Sequence, residues 1–158
     1  MKQKLNCVLV IDDDEPTNFF NRMIIRKSGC TDHVQVAQSG QEALDYLTNS
    51  SHHQQDESKY PCPDLIFLDI NMPAMNGWEF LGRYRSLDKE HQGNIIIVML
   101  TTSLCPEDIL RAKNIPEIAG FESKPLTIEK MKSVLGKYFS STTDNIETPD
   151  IKYPNTAA

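Results

Sequence analysis

A chain of 158 residues is long enough to bury one sizeable core and too short for an additional catalytic domain of ordinary size. Its 16 basic and 22 acidic residues give a formal net charge of -6 without a basic stripe, which argues against nucleic acid as the main partner. No apolar stretch approaches the roughly 20 residues of a membrane span, and the chain starts without a signal-peptide core. We therefore expect a soluble cytoplasmic protein that binds other proteins.

The cysteines give no indication of a metal site or a disulfide framework. Cys7, Cys30, Cys62 and Cys105 show none of the short pairwise spacings of redox or metal motifs, and Cys7 lies inside an apolar run. We expect free, reduced thiols without a functional role.

Five strands are predicted from short apolar or alternating runs. These runs cover residues 7–11, 33–37, 65–68, 95–100 and, more weakly, 118–121. The uninterrupted runs suit strands that are buried on both faces, as in a parallel sheet.

A helical pattern follows each predicted strand. The first helix should begin at Glu15-Pro16 and end before Gly29. Within it, Phe20, Met23, Ile24 and Lys27 fall on helical spacing.

The later helices follow the same logic. The second should start after Gly40, and residues 48–63 are polar enough to predict a long, mobile surface connection. The third helix should open at Gly77, the fourth at Pro106, and the last should cover the apolar positions near residues 128–139. The predicted inner stripe of the third helix consists of Trp78, Leu81 and Tyr84.

The fivefold alternation of strand and helix predicts an α/β fold with a doubly wound parallel sheet, covered by helices on both faces. The flavodoxin-like strand order 2-1-3-4-5 fits the spacing of the polar residues that follow the strands. In this order the crevice at the switch point lies between strands one and three, where Asp12, Asp13 and Asp69 would meet.

Clustered carboxylates in that crevice predict a cation. At an effective dielectric near 20, each close pair repels by about 4 kcal/mol. Oxygen ligands without imidazole or thiolate favour Mg²⁺ over Zn²⁺. Asp69 would then serve as a nucleophile toward phosphorus, with Lys124 and Thr101 as donors to the phosphoryl oxygens.

Asp12-Asp13, read alone, also suits a simple helix-capping pair. For Asp14, three interpretations are open: a cap of the first helix, a solvated side chain or a further metal ligand. We favour the cap.

The chain resembles the receiver domain of two-component response regulators, the CheY-like superfamily, over about residues 5–139. The resemblance rests on motifs that occur in order and at unit spacing: Val8–Asp13, Leu65–Pro73, Asn76-Gly77, Leu100–Ser103 and Gly120–Pro125. The long connection and the Leu100–Ser103 run are also similar to receivers associated with bacterial phytochrome kinases.

Residues 140–158 are predicted to be a disordered tail.

The resemblance implies roles for the site residues. Asp69 would be the phosphoacceptor, and Mg²⁺ would be held by Asp12, Asp13, Asp69 and the main-chain carbonyl of Asn71. Thr101 and Lys124 would contact the phosphoryl group.

The resemblance also implies a switch. Thr101 would move toward the phosphate while an aromatic ring, here Phe121, turns inward. Because Phe121 lacks the hydroxyl of a tyrosine, it retains burial but loses the outward hydrogen bond. The Lys124-Pro125 peptide bond is expected to be cis.

Two further positions in the family tune how easily water attacks the phosphate. Here they are Asn71 and Ser103, which are small and polar. We therefore predict a short-lived phosphorylated state.

By this resemblance the chain is a stand-alone receiver rather than an enzyme. It would accept a phosphoryl group from a histidine kinase or phosphotransfer protein and signal by protein contact through the fourth helix, fifth strand and fifth helix. We expect a monomer or weak homodimer.

Two other functions compete with this one. A Mg²⁺-dependent phosphohydrolase of the haloacid-dehalogenase type needs a second aspartate two residues after the nucleophile, where this chain has Asn71. A pseudo-receiver would bind partners without phosphorylation, although every expected acidic, hydroxyl and lysine position is filled.

Overall fold

The computed structural model describes residues 4–52, 59–88, 92, 94–102 and 105–140. Its strands form one parallel sheet in the order β2-β1-β3-β4-β5, which confirms the predicted fold class. The strands are β1 (Val8–Ile11), β2 (Val34–Ala37), β3 (Leu65–Leu68), β4 (Ile96–Thr101) and β5 (Ile118–Ser123).

Helices connect the strands and cover both faces of the sheet. Within the described ranges they are α1 (Glu15–Ser28), α2 (Gly40–His52), α3 (Gly77–Arg85), α4 (Pro106–Lys113) and α5 (Ile128–Tyr138). None of these helices has the length and apolar character needed to cross a membrane.

Alternate residues of each central strand point to opposite faces, so the sheet separates two hydrophobic clusters. Leu9 and Ile11 of β1 pack with side chains of α2 and α3, while Val8 and Val10 pack with those of α1 and α5. Burial on both sides explains why β1 and β3 read as uninterrupted apolar runs.

Helix α1 forms where the sequence predicts it, but most of the residues whose helical spacing indicated it are not buried. The buried residues are Asn18, Asn21 and Ile25, whereas Phe20 and Met23 are exposed, Ile24 is half-buried and Lys27 is exposed. The Nδ2 of Asn18 donates to the Asp12 carbonyl at 2.7 Å, whereas its buried Oδ1 has no hydrogen-bond partner among the described residues. Helix α1 therefore buries Ile25 in the core and exposes Phe20 and Met23 to solvent.

The connection predicted over residues 48–63 begins later than expected, because α2 continues to His52. The hydroxyls of Thr48 and Ser50 donate to the helix carbonyls of Leu44 and Leu47 at 2.9 Å each, so both polar side chains find partners within the helix. Residues 53–58 of the predicted loop lie outside the described residues, as do residues 141–158 of the predicted tail.

The inner stripe of α3 also differs in part from the prediction. Leu81 and Tyr84 are buried as expected, but the third buried side chain is Phe80. Trp78 is half-buried and stacks under the guanidinium of Arg111, 4.5 Å from the ring centroid. Trp78 therefore joins α3 to α4 at the surface.

Candidate active site

Three carboxylates converge at the carboxyl ends of β1 and β3. Ile11 lies opposite Leu68 in the ladder, and the Asp69 amide donates to the Ile11 carbonyl at 3.0 Å, so the residues after both strands are neighbours. Oxygen atoms of Asp12, Asp13 and Asp69 lie within 4.8 Å of one another. Asp12 and Asp69 are only 2 % and 6 % exposed, whereas Asp13 faces solvent.

Lys124 brings the opposite charge to this cluster from the end of β5. Its Nζ lies 2.5 Å from Asp12 Oδ2 and 3.5 Å from Asp69 Oδ1. The Lys124 side chain is mostly buried, so these contacts are weakly screened by solvent. The sequence separation of 112 residues between Lys124 and Asp12 is closed by the sheet.

Thr101 ends β4 at the same edge of the sheet and is fully buried. It lies opposite Ser123 in the β4–β5 ladder, and its carbonyl accepts from the Lys124 amide at 2.9 Å. The backbone therefore joins Thr101 directly to the residue that carries the site's ammonium.

The surroundings of Asp69 disfavour its negative charge. Burial raises the pKa of this carboxyl above its ordinary value of 3.8, and the nearby Asp12 carboxylate raises it further, while Lys124 acts in the opposite direction. Because the pKa remains raised, the single lysine does not fully compensate Asp69, and a further cation would stabilise its charged form.

Asp14 is the cap that we favoured from the sequence. Its side chain accepts from the Thr17 amide at 3.1 Å and from the Thr17 hydroxyl, and these bonds lower the pKa of the Asp14 carboxyl. Its own amide donates to Asp12 Oδ1 at 2.9 Å, which holds the buried carboxylate in place. Asp14 thus belongs to the start of α1 and not to the carboxylate cluster.

The structure also shows where other residues of the predicted site lie, while their roles stay predictions. Asn71 is exposed in the turn after β3, and Phe121 is half-buried against the core cluster on the α2 and α3 side. The Lys124-Pro125 peptide bond is cis, as predicted. Ser103 lies outside the described residues, so its effect on phosphate lifetime stays a prediction.

Gly77 is a site residue to which the sequence analysis gave no role. Its amide donates to the Ile70 carbonyl at 2.8 Å. A side chain at this position would collide with the main-chain carbonyl of Asp69. The Asn76-Gly77 motif was the available signal, and the structure shows that it lets α3 begin against the turn that carries Asp69.

Comparisons with known proteins agree with this geometry. The response regulator receiver domain family matches residues 8–136. Sporulation initiation phosphotransferase F of Bacillus subtilis is 26% identical over 131 residues, which are 83% of this chain and 91% of the relative. The chain spans only 26% of a probable cyclic di-GMP phosphodiesterase of Vibrio cholerae and 7% of hybrid signal transduction histidine kinase L of Dictyostelium discoideum.

Solved structures show the same likeness. A two-component response regulator from Cytophaga hutchinsonii superposes with a TM-score of 0.76 at 31% identity, covering 85% of this chain and 97% of the other. A response regulator receiver protein from Dyadobacter fermentans gives a TM-score of 0.70 at 29% identity, covering 85% and 98%. With most of its length matched by the family and its carboxylates gathered at the switch point, this chain belongs to the response regulator receiver domain family.

Proposed function

We propose that this receiver accepts a phosphoryl group on Asp69 from a phosphohistidine of a sensor kinase or phosphotransfer protein, with the help of Mg²⁺. The observation that carries the proposal is the contact of the Lys124 ammonium with both buried carboxylates. A phosphoryl group on Asp69 would bring its negative oxygens to this ammonium.

The proposed transfer is a displacement at phosphorus. A carboxylate oxygen of Asp69 attacks the phosphorus atom, and the bond from phosphorus to the donor imidazole nitrogen breaks. The nitrogen keeps the electron pair and takes up a proton, while Asp69 becomes an aspartyl phosphate. The Lys124 ammonium then pairs with the phosphoryl oxygens, and the Thr101 hydroxyl donates to them.

The donor atoms of the cluster fit Mg²⁺. Among the described residues its side-chain donors are the carboxylate oxygens of Asp12, Asp13 and Asp69, which lie close enough together to share one ion. Without that ion, Asp69 lacks full charge compensation. Asp12, Asp13, Asp69 and the carbonyl of Asn71 would hold the ion. When bound, Mg²⁺ neutralises charge on the phosphoryl oxygens.

A groove at the surface reaches Lys124, which contacts the buried carboxylates Asp12 and Asp69. Its volume is about 370 Å³, and it is lined by Pro16, Thr17, Phe20, Asn21, Thr102, Lys124 and Pro125. Beside it α1 exposes Phe19, Phe20 and Met23. This apolar surface supports the proposal that the phosphodonor protein docks along α1, because exposed apolar patches often mark contact sites.

The output surface that we propose is formed by α4, β5 and α5. Phosphorylation would favour the state in which Thr101 and Phe121 are turned inward, and so change the affinity of this surface for a partner. Leu110 of α4 is largely exposed and available for such a contact.

The proposed compartment is the cytoplasm, in agreement with four free cysteines.

The direct test is phosphorylation by a small donor. Purified protein incubated with acetyl phosphate and Mg²⁺ should gain the mass of a single phosphoryl group. Asp69→Asn or addition of EDTA should abolish the adduct, since the first removes the nucleophile and the second the ion. Asp14→Asn is the matched control, because asparagine also caps helices and Asp14 lies outside the cluster.

Other outcomes would support the competing functions. An adduct that persists in Asp69→Asn contradicts the assignment of the phosphoacceptor. Failure of the wild type to bind either acetyl phosphate or beryllofluoride would indicate a pseudo-receiver. Continuous release of phosphate from many phosphoesters would indicate a phosphohydrolase.

A further inference from the structure

Lys130, in the first turn of α5, uses its side chain to hold the backbone around Lys124. Its ammonium donates to the Ser123 carbonyl at 2.7 Å, to the Ser123 hydroxyl at 3.2 Å and to the Pro125 carbonyl at 2.9 Å. An ammonium group has three donors, so all three are used. The two carbonyls lie on either side of Lys124, and Lys130 therefore bridges the residue that contacts Asp12 and Asp69.

Lys130 is itself firmly placed. Its amide donates to the hydroxyl of Thr127, the residue that caps α5, at 3.1 Å. Its neighbour Met131 and the nearby Leu126 are fully buried in the core. The Lys130 side chain thus connects a helix anchored in the core to the turn after β5.

The turn that Lys130 holds is joined to the rest of the site. Ser123 lies opposite Thr101 in the β4–β5 ladder, and the Lys124 amide donates to the Thr101 carbonyl. With Lys130 added, hydrogen bonds fix the backbone before, at and after Lys124. The Lys124 side chain can then adjust to the phosphoryl group from a fixed backbone.

The charge of Lys130 has no other evident use. Among the described residues its ammonium takes part in no ion pair, and its acceptors are two carbonyls and a hydroxyl. Lys132 on the same helix is exposed, as an ordinary surface lysine would be.

We propose that Lys130 is a positioning residue for phosphotransfer, which holds the turn after β5 so that the Lys124 ammonium meets the phosphoryl oxygens. This inference rests on the proposed function of Asp69. Lys130 does not touch the phosphoryl group and acts through Lys124. Orientation of this kind matters because a displacement of about 1 Å at a catalytic group can cost about a hundredfold in rate.

The first experiment compares Lys130→Met with Lys132→Met. Methionine keeps an unbranched side chain but removes the ammonium. Lys130→Met should slow adduct formation from acetyl phosphate by about tenfold or more, while Lys132→Met reacts at the wild-type rate. The affinity for Mg²⁺, measured by titration calorimetry, should stay within about twofold of wild type, because Lys130 makes no contact with the acidic cluster.

A double-mutant cycle separates positioning from a general structural role. In a Lys124→Ala background, Lys130→Met should cause no further slowing, since the ammonium that it positions is gone. If Lys130 acted only on the fold, Lys130→Met would slow both backgrounds by the same factor. Circular dichroism and the Tm of each variant show whether it is folded.

Lys130→Arg is the second variant, for the case that Lys130→Met fails to fold. It keeps the charge and the donors but presents them in a planar fork, so it should fold and react at a reduced rate. Wild-type rates in folded Lys130→Met or Lys130→Arg, or equal slowing in both backgrounds, overturn the inference and leave the proposed function intact. A wild-type protein that forms no adduct overturns the proposed function and this inference together.

Discussion

Asp69 combines burial, a neighbouring carboxylate and a neighbouring ammonium, and its raised pKa shows that the first two effects outweigh the third. A nucleophile needs its charged form, so the protein keeps Asp69 in a form that its own surroundings disfavour. A buried charge that lowers the stability of the fold is typical of functional sites, where stability and activity impose different demands.

Asp69→Asn should therefore stabilise the protein in the absence of Mg²⁺. We expect a gain on the order of 1 kcal/mol at pH 7, because asparagine removes a buried charge beside Asp12. Urea unfolding of both proteins in EDTA measures this difference. Asp13→Asn, at an exposed position, should give a smaller gain.

The pH dependence of this gain has a defined sign. A carboxyl whose folded-state pKa is raised destabilises the fold above that pKa and has no such effect below its ordinary value of 3.8. The advantage of Asp69→Asn should consequently grow as the pH rises from about 3.8 through the folded-state pKa. A wild type that is equally stable or more stable than Asp69→Asn throughout, in EDTA, would contradict this account.

At the residue scale the sequence could predict the charged members of the site but not what holds them. Asp12, Asp69 and Lys124 were recognisable because each follows a strand, and parallel strands end at one edge. Lys130 gave no such signal, since its acceptors are mainly backbone carbonyls whose direction depends on the folded turn.

Helix α1 shows where a periodicity argument fails at the scale of an element. Phe20 and Met23 fall on helical spacing in the sequence, but the helix buries Asn18, Asn21 and Ile25. Burial of Asn18 depends on a bond to the Asp12 carbonyl, which no hydrophobic scale represents. Phe19, Phe20 and Met23 face solvent beside the site, where we propose that they serve binding.

A pair of alanine substitutions in α1 tests this assignment of faces. Ile25→Ala should lower the free energy of unfolding by about 2 to 5 kcal/mol, because Ile25 is fully buried in the core. Phe19→Ala should change it by no more than about 0.5 kcal/mol, because Phe19 is 72% exposed. Urea denaturation of both variants gives the comparison, and a reversed order of effects would contradict the buried and exposed faces seen in the structure.

At the scale of the whole molecule, the strand order was predictable because it depends on patterns that are visible in the sequence. The alternation of apolar runs with helical patterns indicates a parallel sheet, and the order 2-1-3-4-5 brings residues 12 and 69 together although 57 positions separate them. The length of α2 was less predictable, since Thr48 and Ser50 read as loop residues until their hydroxyls are seen bonded to helix carbonyls.

The central claim is that this arrangement of the whole chain makes Asp69 the phosphoacceptor, and chemical location of the phosphoryl group tests it most directly. Borohydride reduces an aspartyl phosphate to homoserine, so protein treated with acetyl phosphate and Mg²⁺ can be reduced, digested and sequenced by mass spectrometry. We predict homoserine at position 69, with Asp12 and Asp13 unchanged. Homoserine at position 12 or 13, or its absence from position 69 of protein that carries the phosphoryl mass, would contradict the account.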